Sequence, residues 1–216
     1  MKRLTPKVKL VIFDLDGTLV DAFRAISDSI NFMMNKMGRQ EQDHRKVKRA
    51  VGWGVDTLVR TFIEPENVEA ALRIFRSHHD KRLRQNIKLL PGAMGLFRYL
   101  KKKGYILAIA SNRPSRFCHI ILRALDVDHY FDFVICGDAV KRPKPHPDMV
   151  RKILKAARLK PGQAVYVGDM SVDILCGRRA GVFTVGIPTG TCTRKEINAA
   201  GPDLMIKRLS ELRQLV

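Results

Sequence analysis

Two carboxylates two residues apart, Asp14 and Asp16, stand in the stretch "LVIFDLDGTL", Leu10 to Leu19. Four apolar residues, Leu10 to Phe13, run straight into the first of them. Side chains at i and i+2 of an extended chain point the same way, so both acids face one cavity. Two carboxylates about 5 Å apart repel by roughly 3 kcal/mol at an effective dielectric of about 20. A shared proton or a cation must relieve that repulsion. A carboxylate can also serve as a covalent nucleophile. A second one beside it can protonate a leaving oxygen and later deprotonate water.

Other polar groups recur further along. Ser111 and Asn112 close an apolar run, Lys144 lies in "KPHPD", and Asp169 and Asp173 lie in "VGDMSVD". Three carboxylates, Asp14, Asp16 and Asp169, suit Mg²⁺, a hard cation that takes a few carboxylates and keeps positions for water and phosphate. No grouping of His or Cys favours zinc. Lys144 offsets one negative charge, with Lys141 a competing candidate. Gly17 permits a sharp turn that leaves backbone N–H groups, its own and that of Thr18, open to an anion. Pro114 pre-sets the first turn of a helix, so a phosphate held by Ser111 would sit at a helix N-terminus. Each residue alone has a plainer reading. An Asp-x-Asp is often a turn, Ser111 a cap and Lys144 a surface lysine. Asp173 could simply suit the start of a helix with Ser171 as N-cap. Chemistry is implied by the combination, each group following a successive strand.

The elements that must position these groups are legible as an alternation. Strands are expected at 9–13, 105–110, 133–136, 164–167, 182–186 and 203–206. Helical patterns at 93–103, 114–125, 147–158 and 172–180 fall between them. That order implies an α/β fold, a Rossmann-like parallel sheet with helices on both faces. Ligands of such sheets bind beyond the carboxyl ends of the strands, where all the groups above fall. One connection breaks the rhythm. From Asp21 to Leu89 no strand is expected, and apolar residues at helical spacing dominate, among them Ile26, Ile30, Met33, Leu58, Phe62, Leu72 and Phe75. Residues 21–87 therefore form a small helical insert, and 1–20 with 88–216 form the core.

Composition bounds the rest. At 216 residues, 45% hydrophobic and 28% charged, the chain is an ordinary folded composition rather than a disordered one. No apolar run approaches the roughly 20 residues a membrane helix needs. No signal peptide is expected at "MKRLTPKVKL". The four cysteines form no Cys-x-x-Cys pair, which suits free thiols in a cytoplasmic protein. The net charge of +19 attracts anions, either a small phosphorylated substrate or nucleic acid.

Taken together, "FDLDGTLVD", "ASN", "KPHPD" and "VGDMSVD" resemble the four motifs of the haloacid dehalogenase superfamily, in its phosphatase branch with a helical cap. The resemblance implies a phosphoaspartyl intermediate. Asp14 would be the nucleophile, and Asp16 the general acid/base, which also binds Mg²⁺ through its backbone carbonyl. Ser111 and Lys144 would hold the phosphoryl oxygens, with Gly17, Thr18 and Asn112 beside them. Asp169 would be a metal ligand and Asp173 its support. "VGWGVDTLVR" in the insert and the tail from Gly186 are similar to phosphoglycolate phosphatases. Trp53 is expected to pack against a helix, and Arg60 is left open between a carboxylate and solvent. Phosphoglycolate or a similarly small phosphorylated acid is the implied substrate. A sugar-phosphate mutase, a pyrophosphatase or nucleotide phosphatase, and a nucleic-acid-binding protein on the same scaffold are the alternatives.

Overall fold

The computed structural model describes residues 8–215. Six strands form one parallel sheet: β1 (Leu10–Phe13), β4 (Ile106–Ser111), β5 (Phe133–Cys136), β6 (Ala164–Gly168), β7 (Phe183–Gly186) and β8 (Leu204–Met205). Their order across the sheet is β5-β4-β1-β6-β7-β8. The first strand is therefore central, paired in parallel with β4 on one side and β6 on the other. A central strand covered on both faces can be apolar at every position, and all four residues of β1 are fully buried.

Alternation along the strands divides the core into two faces. Val11, Phe13, Leu107, Ile109, Val165 and Val167 belong to one apolar cluster. Leu10, Ile12, Ala108, Ala110, Ala164 and Tyr166 belong to the other. The second face is covered by α7 (Asp148–Ala157) and α8 (Ser171–Ala180), through residues such as Met149, Ile153 and Cys176. The first is covered by α5 (Ala93–Lys102) and α6 (Ser115–Ala124), through Leu96, Phe97, Phe117 and Ile121. A short α9 (Arg194–Ala199) packs beside α8.

Between residues 21 and 88 lie four α-helices, α1 (Phe23–Lys36), α2 (His44–Ala50), α3 (Val55–Arg60) and α4 (Val68–Arg82). The chain leaves and re-enters through two strands of two residues each, β2 (Val20–Asp21) and β3 (Lys88–Leu89), which pair antiparallel. No strand was expected across this connection. Two-residue strands are too short to carry an alternation, so the pair is invisible to periodicity. It ties both chain crossings together at one point. The apolar surface of the insert joins the first face of the core in one continuous cluster.

The other boundaries move by a residue or two, as element ends do. The shift that matters is in β4, which runs one residue further than expected and carries Ser111 as its last residue. Ser171 is the first residue of α8, and Met170 takes the cap position expected of Ser171. Trp53 lies half exposed in the turn before α3. Arg60 is exposed.

Candidate active site

The site gathers at the carboxyl ends of β1, β4 and β6. There the chain order turns from one side of the central strand to the other. Asp14 continues β1 by one residue, its N–H donating to Val167 O at 2.9 Å. Its Oδ1 accepts from Lys144 Nζ at 2.6 Å. The same ammonium donates to Asp173 Oδ1 at 2.8 Å and to Ala110 O at 2.9 Å, so its three donors are spent. No hydrogen bond reaches Asp14 Oδ2 from the described residues.

Lys144 is held in place by Asn112. The Asn112 Oδ1 accepts from Lys144 N at 2.9 Å, and its Nδ2 donates to Lys144 O at 3.1 Å. The second Nδ2 hydrogen goes to Gly52 O in the insert, at 2.9 Å. The amide is thus spent on backbone, and Asn112 ties three segments together rather than offering donors to a phosphate. Ser111 is buried at the cavity wall, with its Oγ accepting from Arg113 N at 3.3 Å.

Asp169 and Asp173 follow β6. Asp173 accepts from Met170 N at 3.0 Å, which secures the first turn of α8. Tyr166 OH donates between Asp173 Oδ1 at 3.2 Å and Ala110 O at 3.1 Å. Asp169 accepts from Thr18 Oγ1 at 2.8 Å and from Thr191 N at 3.2 Å. Two glycines let this carboxylate in. A Cβ on Gly190 would stand 1.7 Å from Asp169 Oδ2, and one on Gly17 2.6 Å from it. Gly17 does not present the free N–H group expected for phosphate. Gly17 N–H closes a turn on Val20 O at 2.8 Å, and the Thr18 hydroxyl is spent on Asp169.

Oxygens of Asp14, Asp169 and Asp173 lie within 4.8 Å of one another, all buried. Burial, then the charges of Asp173 and Asp16, push the Asp14 carboxyl up to about 7 against the pull of Lys144. Burial and the charges of Asp14 and Asp173 also push Asp169 well above the carboxylate range. Burial works against the Lys144 cation, but Asp14 and Asp173 outweigh it and hold the ammonium charged. Three buried carboxylates against one ammonium leave an excess of negative charge. All the donors are hard oxygens, so the cluster fits a divalent metal of that preference.

Asp16 does not join the cluster. Its carboxylate is held bidentate by Arg113, Nε to Oδ2 at 2.7 Å and Nη2 to Oδ1 at 2.8 Å. Arg113 Nη1 meets His79 Nε2 of α4 at 2.9 Å, and His79 Nδ1 meets Ser29 Oγ of α1 at 3.0 Å. Burial, then Arg113, push the His79 pKa well below its usual value, so the ring is neutral and Nε2 accepts. A polar chain thus runs from Asp16 into the insert. Sequence reasoning missed Arg113, His79, Tyr166 and Gly190. Only Arg113 carried a signal, as the residue directly after Ser111 and Asn112.

Between core and insert lies a cavity of about 50 Å³. Asp14, Asp16, Ser111, Arg113, Lys144 and Asp173 line its core side, and Val51, Val55, Leu58, Phe75 and His79 its insert side.

Comparison with known proteins decides the family. The profile of the haloacid dehalogenase-like hydrolases matches residues 11–187, most of the chain. The chain belongs to the haloacid dehalogenase-like hydrolases. Among curated members it is 31% identical over 214 residues to phosphoglycolate phosphatase 1 of Pseudomonas aeruginosa, covering 94% of this chain and 78% of that one. It is 31% identical to the phosphoglycolate phosphatase of Aquifex aeolicus, with 97% of each chain covered. A crystal structure of a predicted phosphoglycolate phosphatase from Haemophilus somnus 129pt superimposes with a TM-score of 0.92 at 27% identity, over 97% of this chain and 98% of that one. This haloacid dehalogenase-like hydrolase is a phosphatase, a hydrolase of phosphomonoesters. No helix among its described residues is long and apolar enough to cross a membrane.

Proposed function

We propose that this phosphatase hydrolyses phosphoglycolate, or a similarly small phosphorylated acid, through a phosphoaspartyl intermediate on Asp14, with Mg²⁺ as cofactor. The observation that carries the reading is the free Oδ2 of Asp14, set beside the ammonium of Lys144 and a buried cluster of carboxylates. Such an oxygen can attack only if its own charge is balanced, and Lys144 supplies part of the balance. Asp14, Asp169 and Asp173 would hold the metal, together with the Asp16 backbone carbonyl. When bound, Mg²⁺ supplies charge that stabilises the transferring phosphoryl oxygens.

The chain's own groups then account for each step. Asp14 Oδ2 forms a bond to phosphorus as the bond from phosphorus to the ester oxygen breaks. The electron pair of that bond stays with the ester oxygen, which takes a proton from the Asp16 carboxyl, a step for which Asp16 must first leave its bidentate pairing with Arg113 and be protonated. A water then attacks the phosphoaspartyl phosphorus while giving a proton to the Asp16 carboxylate. The bond from phosphorus to Asp14 breaks, and inorganic phosphate leaves. Ser111 points a hydroxyl into the cavity wall where a phosphoryl oxygen would rest. Lys144, with all its donors spent, orients Asp14.

Residues 21–87 act as the cap over the core of 1–20 and 88–216, closing on the substrate and excluding water. The small cavity favours a small ester over a nucleotide. The names of the relatives from Pseudomonas aeruginosa and Aquifex aeolicus support phosphoglycolate as the substrate. The free cysteines suit a reducing cytoplasm. A phosphate-release screen tests the reading, run over phosphoglycolate, sugar phosphates, nucleotides and pyrophosphate, with and without Mg²⁺. Release from phosphoglycolate that needs Mg²⁺ and vanishes in Asp14→Asn is the expected result. Unchanged release in Asp14→Asn would refute the covalent scheme. Preferential release from sugar phosphates or nucleotides would refute the substrate.

A further inference from the structure

The substrate reading leaves one question open: which group would recognise the carboxylate of a small phosphorylated acid. Two cations line the cavity, Lys144 and Arg113. Lys144 is excluded because its three donors go to Asp14, Asp173 and Ala110. Arg113 is different. A guanidinium carries five N–H groups. Asp16 takes two of them, through Nε and Nη2, and His79 takes one on Nη1. Two remain, one on each terminal nitrogen, on a side chain that is only 5% exposed. Buried N–H groups without partners are costly, and these belong to a residue at the wall of the pocket.

From this we infer that Arg113 is the specificity-determining residue of the site, its terminal N–H groups receiving the substrate's carboxylate while its other edge holds Asp16. The inference rests on the substrate reading above and deepens it. Paired donors in a rigid fork match the geometry of a carboxylate. One guanidinium would then touch both Asp16 and that carboxylate.

The insert takes part through His79. Its neutral Nε2 accepts from Nη1 and sets the plane of the guanidinium, while Ser29 on α1 meets the other ring nitrogen. His79 is a positioning residue. It reaches Arg113 only from α4, so recognition of the carboxylate requires the insert to be seated on the core.

The test compares two esters that differ only in the carboxylate, 2-phosphoglycolate and ethyl phosphate, on the full chain with Mg²⁺. The quantity read is the ratio of their kcat/KM values, which cancels any effect of the substitution on Asp16. In Arg113→Gln the ratio falls by about 100-fold, the size of a lost charged hydrogen-bond pair. Arg113→Lys keeps the charge but not the fork, and its ratio falls by about 10-fold. It carries the test if the Gln variant does not fold. A binding readout is independent of turnover. In Asp14→Asn, replacing Asp16 by Asn as well removes a competing negative charge, and 2-phosphoglycolate binds several-fold tighter relative to ethyl phosphate. An unchanged ratio in both Arg113 variants, with 2-phosphoglycolate still hydrolysed by the wild type, overturns this inference alone. Failure of the wild type to hydrolyse 2-phosphoglycolate while it hydrolyses other esters overturns the substrate reading and this inference with it.

Discussion

The carboxyl edge of the sheet and the helical insert hold their polar groups in opposite ways. At the sheet edge, Asp14, Lys144, Asp169 and Asp173 come from three segments far apart in the chain, yet they are buried and bonded to one another. In the insert, most polar groups face water, and few polar contacts reach the core. Among the described residues these include Gly52 O on Asn112, His79 on Arg113, the exposed pair of Asp80 with Arg116, and Asp21 with Lys88. The first region is costly to break because each group is dry and depends on another's charge. The second can separate from the core at the loss of a few hydrogen bonds and the apolar contact behind them. Chemistry needs the first property, and admission of a substrate to a small cavity between core and insert needs the second.

Removing the cation of the sheet edge gives the largest effect. Lys144→Met leaves Asp14 and Asp173 dry and unpaired, and a urea melt of that variant at neutral pH shows a loss of about 3–5 kcal/mol. A loss no larger than that of a surface substitution would mean that the edge is not the rigid half of the molecule.

The metal sharpens the comparison next. The folded-state pKa of Asp14, about 7, lies above its ordinary 3.8. A raised carboxyl favours the fold below its unfolded pKa, and that contribution is lost as pH rises through 7. In chelator the protein therefore loses stability between pH 4 and 7, through Asp14 and Asp169 together. Added Mg²⁺ offsets this, so it raises Tm more at pH 8 than at pH 5. An equal rise at both would contradict a metal held by these carboxylates.

A smaller effect belongs to the seam. His79 is kept neutral in the fold, so its pKa is depressed. Its contribution is present above the unfolded value of about 6.5 and is lost as pH falls below it, by at most about 1.4 kcal/mol per pH unit. Replacing His79 by Gln flattens the fall in stability between pH 6.5 and 5, read by urea melts at stepped pH. The smallest effect is that of Arg116→Ala, whose partner Asp80 sits on the insert. Arg116 is largely exposed, so its Tm stays at the wild-type value.

The same contrast explains what the sequence could reveal. Asp14, Asp16, Ser111, Lys144, Asp169 and Asp173 were legible because each follows a strand, and the strands alternate with helices in a readable rhythm. Burial and pairing were not legible. Nothing in "GTL" says that Thr18 turns toward Asp169, 151 positions away, or that Gly17 spends its N–H within its own turn. Tyr166 reads as one more apolar strand residue, and its hydroxyl matters only because Asp173 folds back over it. In the insert the helices were legible from apolar spacing, but which face would meet the core was not. His79 in "SHHDK" looks like a solvated neighbour of His78. Only tertiary packing separates the half-buried ring from the fully buried one.

The central claim, that Asp14 carries the phosphoryl group, has a direct test. Enzyme quenched in acid during its first turnover of 2-phosphoglycolate with Mg²⁺ is reduced with borohydride, which converts an acyl phosphate to an alcohol, and position 14 is read by peptide mass spectrometry. The account predicts homoserine at position 14 and nowhere else. Release of phosphate with Asp14 unmodified throughout the first turnover would contradict it.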